Sequence, residues 1–371
     1  MMGMPPERKY WFLSPLLWIG LGLGALCIQH IAQRNPEYVE SLYSRGIFLV
    51  IRQFQDWVCS FISFPLWYLL TVVVSVTLLF RLVRWLRKPM RWTAKVWGII
   101  RGGAGISGAI VFFFFIAWGY NYQRVPLEEQ IGILPVPVSV DETFEELSLL
   151  TGELIQARAA LTADTLPLSL PVGEQSHAHV SAQSLGALRD ILMQFKIPAP
   201  GGLTARQLKP EGLLLRISTA GFYFPLTGEC NIDGGLHPLQ VPFVQAHEYA
   251  HGYGFGDEGT CNFLAYLALN ESSDPWLRYS GVLGYWRYVA SSAKRLAPER
   301  YRTFFNGIHP GVRQDLISIR RQMNRYPDLF PQTRDRVYSA YLQTQGIPEG
   351  LSNYSRVVLL AHAWRKKQKA E

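Results

Sequence analysis

The sequence predicts an α-helical membrane anchor of three spans followed by an extracytoplasmic α+β domain that is mostly helical. Three observations carry this reading. The first third of the 371-residue chain holds three uncharged stretches, each longer than the roughly 20 residues that cross a ~30 Å hydrocarbon core. The net charge of +8 lies entirely in that third: residues 1–120 hold 12 Lys/Arg against 4 Asp/Glu, and residues 121–371 hold 24 of each. The remainder passes from short β-prone runs to long stretches of helical periodicity, an α+β order of elements. A charged fraction of 17% is too low for a disordered chain and unusual for a soluble enzyme. The neutral remainder excludes a basic nucleic-acid-binding domain, so no nucleic-acid partner is expected.

The membrane domain is expected over 1–124, with spans at about 10–33, 57–80 and 102–123. Trp11, Trp57, Trp118, Tyr120 and Tyr122 stand near the span ends, where amphipathic rings favour the headgroup level. Pro65 is tolerable inside the second span if neighbouring helices satisfy the freed carbonyl. Gly102, Gly103, Gly105 and Gly108 would let the third span approach another helix closely. The first span is too long for a cleaved signal peptide, and no small-x-small site follows it. Cys27 follows Leu26, a poor match to a lipoprotein site, so this span reads as a signal anchor.

Orientation follows from the loops. Arg81, Arg84, Arg87, Lys88, Arg91, Lys95 and Arg101 stand between spans two and three with no acid among them. The loop between spans one and two is balanced, Arg34, Arg45 and Arg52 against Glu37, Glu40 and Asp56. Positive-inside bias therefore puts 81–101 and the N-terminus, with Arg8 and Lys9, in the cytoplasm, and 125–371 outside it. An anionic-lipid clamp at the same cluster would give the same sidedness.

Residues 125–140, punctuated by Pro126, Pro135 and Pro137, read as an extended linker before a domain at 141–371. Asp141 opens an apolar helical face of Phe144, Leu147, Leu150, Leu154 and Ile155, and a second helix is expected near Ala182–Phe195. Leu213–Ile217 and Gly221–Phe224 read as strands. From Val241 onward the pattern is helical, broken at Gly252–Gly256, Asp274-Pro275, His309-Pro310 and Gly346–Gly350.

The chemistry concentrates at His247-Glu248-Tyr249-Ala250-His251, an HExxH. On a helix, positions i and i+4 point the same way, so both imidazoles can serve one Zn²⁺. Glu248 lies about 100° round the helix, where it can act as general base toward a zinc-bound water. A chance HExxH in a chain this long has odds on the order of one in a hundred. Pro242 suits the first turn, and Gly252 and Gly254 end the helix. Catalytic zinc needs a third protein ligand. Asp257 and Glu258 are adjacent candidates; Glu258 is favoured, with Asn262 one turn later as a hydrogen-bonding support, while Asp257 remains the alternative ligand. Whichever acid does not bind metal would cap the next helix. Tyr279 is a candidate oxyanion donor, weighed against a packed aromatic.

Other residues carry less. His177 and His179 read as a solvated loop, and His237 and His309 as turn residues before Pro. Cys27 and Cys59 fall in spans. Cys230 and Cys261 could pair in an oxidising compartment, although Cys261 beside the metal helix equally fits a small buried residue.

These residues resemble an uncharacterised family of bacterial multi-pass membrane proteins, a domain of unknown function with a zincin-like HExxH. The matching positions are Asn35-Pro36, Val39-Glu40, Tyr43-Ser44, Trp118-Gly119, Asn121-Tyr122, Arg124, Phe224-Pro225 and Thr227-Gly228-Glu229. They continue through His247–His251, Gly254-Phe255, Glu258, Asn262-Phe263, Tyr279-Ser280-Gly281, Tyr341-Leu342, Gly346 and Ser352 to Val358. The resemblance implies a gluzincin-type site in a bacterial cytoplasmic membrane protein. Thr260 and Cys261 stand where the family pattern has a second acid and an alanine, which leaves Glu258 as the matching acid.

The expected activity is that of a membrane-anchored zinc metallopeptidase acting on a peptide or protein outside the cytoplasm. A segment within 213–224 could pair with an extended peptide. The alternative is a non-catalytic envelope interaction or assembly protein with a structural or vestigial metal site. An intramembrane site is excluded, because the acids, histidines and glycines of 229–258 could not form an apolar span.

Overall fold

The computed structural model describes residues 14–87, 89, 91–168, 177–347 and 355–371. The start of the first expected span, with Trp11, and Arg8, Lys9 and Lys88 lie outside the described residues. Among the described residues, three helices are long and apolar enough to cross a membrane: α1 (Pro15–Ala32), α4 (Leu66–Arg87) and α5 (Trp92–Ala117).

Helices α1 and α5 pack along their length, and they run parallel. Gly105 meets Pro15, Gly108 meets Trp18 and Gly22, and the Tyr120 hydroxyl donates to the Ala25 carbonyl (3.2 Å). A Cβ on Gly22 would sit 2.7 Å from the Gly108 backbone, so glycine is what permits this approach. Gly102 and Gly103, expected to share that role, face open space.

Two span boundaries are corrected. The second span does not run 57–80 through Pro65; α4 begins immediately after that proline. Pro65 lacks an N–H and restricts the residue before it, so it starts a helix more readily than it interrupts one. Trp57 instead belongs to a preceding helix, α3 (Phe48–Ser60). The third span begins ten residues earlier than expected and stops at Ala117, where a buried 3₁₀ turn (Gly119–Gln123) takes over. Most of the basic cluster consequently lies on helices: Arg81, Arg84 and Arg87 on the last turns of α4, Lys95 and Arg101 on α5. Long basic stems on apolar helix ends can reach the headgroups from there.

The connection between the first two spans is structured. A short α2 (Pro36–Tyr38) leads into a π-helix (Val39–Ile47) and then α3. The expected linker also differs: it carries α6 (Leu127–Gln130) and buries Leu127, Ile131 and Ile133. Helix α7 (Val140–Ala159) opens with a capping box between Ser139 and Glu142, and α8 (His177–Gln194) begins earlier than expected and includes His177 and His179. His177 Nε2 bonds the Ala205 carbonyl (2.9 Å), which ties that turn to the sheet.

The sheet has three strands in the order β1 (Ala205–Leu208), β3 (Glu229–Asp233), β2 (Gly221–Phe224). β1 pairs parallel with β3 from Ala205↔Cys230, and β2 pairs antiparallel with β3 from Gly221↔Ile232. The expected strand at 213–217 is instead a 3₁₀ turn (Leu215–Ile217). Its Leu214 and Leu215 amides, with that of Gly212, donate to the buried Asp233 carboxylate, which curls the chain inward.

The helical half comprises α9 (Val241–Gly252), α10 (Glu258–Asn270), α11 (Pro275–Leu296), α12 (Pro298–Asn306), α13 (Pro310–Met323), α14 (Pro331–Thr344) and α15 (Arg356–Ala370). The expected breaks at Gly252–Gly256, Asp274-Pro275 and His309-Pro310 are present, with Asp274 and His309 capping α11 and α13. Further breaks before Pro298 and Pro331 were not expected, and the one at Gly346–Gly350 lies partly outside the described residues. Helix α10 is buried on all sides from Glu258 to Leu269, and α9 and α11 pack against it.

Candidate metal centre

Helix α9 ends in a tight reversal. Phe255 N–H bonds the Ala250 carbonyl (3.1 Å), and Gly254 turns at φ +87°, a region that favours glycine. The chain then starts α10, whose N-cap is Asp257, its side chain accepting from the Thr260 amide (2.6 Å). Asp257 also pairs with Arg356 (3.0 Å). It does not join the histidines. Glu258 does.

Glu258 Oε2 lies 3.1 Å from His247 Nε2 and 3.4 Å from His251 Nε2, and the two Nε2 atoms are 3.1 Å apart. Zinc–ligand bonds of about 2.0–2.2 Å place tetrahedral neighbours about 3.3–3.5 Å from each other, so this triangle fits to within a few tenths of an ångström. The other ring nitrogens are committed: His247 Nδ1 to Asn262 Oδ1 (2.9 Å) and His251 Nδ1 to the Phe255 carbonyl (2.7 Å). Those acceptors hold the protons on Nδ1 and leave both Nε2 lone pairs turned toward Glu258. Buried Glu258 Oε2 has no hydrogen-bond partner. Three lone pairs converging out of water repel one another unless a cation, proton or metal, sits among them. Burial alone would raise the Glu258 carboxyl; His251 and His247 outweigh it and hold the group well below the usual carboxylate range.

Glu248 occupies the neighbouring face of α9. Burial pushes its carboxyl up to about 7, against the lowering influence of His247 and His251 and of the Tyr223 amide on β2. The strand approaches closely because residue 221 is glycine: a Cβ there would lie 2.8 Å from Glu248 Oε1 and from the Asn231 carbonyl oxygen. Cys230 Sγ donates to the Glu248 carbonyl (3.2 Å), and Cys261 Sγ lies 3.4 Å from His251 Nδ1. Both thiols are free and buried, so the two do not pair and Cys261 is the small buried residue of the other reading.

The site opens into a cavity of about 890 Å³ lined by His247, Glu248, His251 and Glu258, by β2, and by Tyr288 and Tyr338. Tyr338 on α14 donates to Glu258 Oε1 (2.6 Å), and Tyr288 on α11 donates to Asn262 Oδ1 (3.2 Å). Burial lifts the Tyr288 phenol to about 12, so it remains a donor through the physiological range. Neither tyrosine carries a local sequence signal, since each reaches the site from a distant helix. Tyr279 lies elsewhere. Its hydroxyl donates to Asp315 (2.6 Å) in the core, and its ring does not line the cavity. It is a packed aromatic: its side chain points to Asp315 on α13, which also pairs with Arg158 on α7, while the next residue, Ser280, is the one that meets α9 by accepting from the Phe243 amide (3.2 Å).

The membrane-proximal segment reaches the same motif. Trp118 Nε1 donates to the His251 carbonyl (2.8 Å), and Arg124 bonds Glu40 (2.7 Å) and the Tyr253 and Gly254 carbonyls (3.3 and 3.2 Å). The buried Arg124 guanidinium also stacks 4.4 Å over the Phe255 ring.

Residues 43–361 match the family described as protein of unknown function (DUF3810), and the chain belongs to it. No curated protein and no solved structure matches the chain.

Proposed function

We propose that this member of a family of unknown function is a membrane-anchored zinc metallopeptidase whose site lies outside the cytoplasm. The observation that carries the reading is the His247–His251–Glu258 triangle with Glu248 beside it, facing a cavity large enough for a peptide. Two neutral imidazoles and one carboxylate suit Zn²⁺ with a position left open. Zinc bound there would supply Lewis-acid polarisation of a scissile carbonyl and acidify water at neutral pH.

The chain's own groups supply the rest. A carboxyl near neutrality at Glu248 can take a proton on Oε2, which has no hydrogen-bond partner, and return it to the leaving amine. β2 pairs only with β3 among the described strands and lines the cavity, so its free edge can align an extended peptide. Tyr288 takes the donor role expected of Tyr279. Sidedness is supported by the parallel run of α1 and α5, which requires one return crossing, and by the acid-free basic cluster at the α4–α5 turn.

The test is Glu248→Gln in the full-length protein. Zinc is expected to remain equimolar while peptide cleavage collapses; undiminished cleavage by the zinc-loaded variant refutes the assignment.

A further inference from the structure

Residues 33–65 join the first two spans and present two opposite faces. Phe48, Arg52, Gln55 and Cys59 are buried against the domain. There Gln55 Nε2 donates to the Pro225 carbonyl (2.7 Å), Cys59 Sγ to the Thr227 carbonyl (3.2 Å), and Arg206 reaches the Cys59 and Ile62 carbonyls (3.1 and 2.6 Å). The other face presents Ile47, Val50, Phe54, Trp57 and Phe61 at alternating steps of three and four, each 57–71% exposed. Their rings are in contact, with Phe54 and Trp57 centroids 5.9 Å apart and Trp57 and Phe61 5.3 Å apart. A continuous aromatic stripe of this kind needs a cover.

Its position selects the cover. The segment runs from the end of α1 to the start of α4, and its stripe ends at Phe61, five residues before Leu66, so it lies where both spans meet the water boundary. The buried face holds the β2–β3 turn, and β2 walls the cavity. Phe222 on β2 meets Trp67, the second residue of α4, at 5.7 Å, and Trp118, the residue after α5, lines the cavity and bonds the HExxH helix. The cavity is thus tied to the membrane boundary at the start of α4, at the end of α5 and through the segment between the first two spans.

We propose that the 47–61 stripe is seated in the bilayer interface on the domain's side as an in-plane amphipathic segment. The seat holds the cavity at the membrane surface, so the site takes peptides tethered to the same membrane, cleaved close to it. This substrate restriction rests on the peptidase reading; the seat does not. Aromatic burial drives the insertion, because Arg52, the only basic residue of α3, is buried and paired with Asp56 (2.6 Å).

The experiment uses the full chain with Cys27→Ser in nanodiscs of purely zwitterionic lipid, spin-labelled at Phe54→Cys or Phe61→Cys, with exposed Leu149→Cys on α7 as the aqueous control. Both stripe labels are expected to favour oxygen over an aqueous nickel chelate, opposite to the control. Water-like accessibility at both overturns the seat. In zinc-loaded proteoliposomes, a peptide carrying a transmembrane anchor is expected to turn over about a hundredfold faster than the same peptide free, from its higher effective concentration. The triple variant Phe54→Ser/Trp57→Ser/Phe61→Ser should lose that advantage and keep cleavage of the free peptide. Equal turnover of both peptides by the wild-type chain overturns the substrate restriction. Membrane-like labels with no zinc-dependent cleavage of either peptide overturn the peptidase reading and support the seat.

Discussion

Helix α11 contributes a tyrosine to each of two buried polar clusters, and the clusters differ in how far their hydrogen bonding is complete. Around Tyr279, Asp315 accepts from Arg158 Nε (2.9 Å), from the Tyr279 hydroxyl (2.6 Å) and from the Leu168 amide (2.7 Å). The remaining Arg158 nitrogens donate to the Asp164 and Leu166 carbonyls. Each of these charges has a partner, and neither Tyr279 nor Asp315 lines the cavity beside the histidines. Around Tyr288, Glu248 Oε2 and Glu258 Oε2 have no hydrogen-bond partner, the imidazole Nε2 atoms face each other, and the group opens into the cavity. A saturated cluster holds helices in place, whereas an incomplete one facing open space can take a ligand.

Metal removal should separate the two most sharply. Chelation is expected to abolish peptide cleavage, with recovery on adding zinc, and to leave the packing of α7, α11 and α13 intact, as followed by hydrogen exchange. Glu248→Gln should lower kcat by about a thousandfold, the scale of general acid–base catalysis, with zinc content unchanged. Arg158→Met should act in the opposite sense, costing about 3–5 kcal/mol of stability by leaving the buried Asp315 without its cationic partner, while the folded fraction keeps its zinc and turnover. Thermal unfolding and metal content measured on one preparation check this.

Asn262→Ala removes the acceptor that orients His247 and should weaken zinc binding by about 10–100-fold, measured by competition with a chelator. The smallest effect belongs to Tyr279→Phe, which should cost about 1–2 kcal/mol and leave turnover unchanged. A large loss of activity there would return Tyr279 to the site.

Legibility followed the range of the interactions. The HExxH pair is a local geometric fact, since four residues of helix bring two side chains to one face. Glu258 and Asp257 are one residue apart, and only the Gly254 turn decides that Glu258 meets the imidazoles while Asp257 caps α10. Asn262 follows from Glu258 by one helical turn and was legible for the same reason. Tyr338 arrives from 80 residues away and left no trace beside the motif. Leu213–Ile217 has the composition of a strand, yet Asp233 draws its amides into a turn.

The apolar runs by themselves determined that three helices can cross a bilayer, because length and hydropathy are sums over neighbouring residues. The punctuation by Gly and Pro likewise determined the breaks after α9 and before Pro275 and Pro310. Only the tertiary structure decided that the chain between the first two spans is part of the site's support, that Trp118 and Arg124 grip the HExxH turn, and that the tyrosine reaching Asn262 from α11 is Tyr288 and not Tyr279. Those choices depend on which helix faces fall together after folding, and side chains far apart in the sequence carry no record of that in their own neighbourhoods.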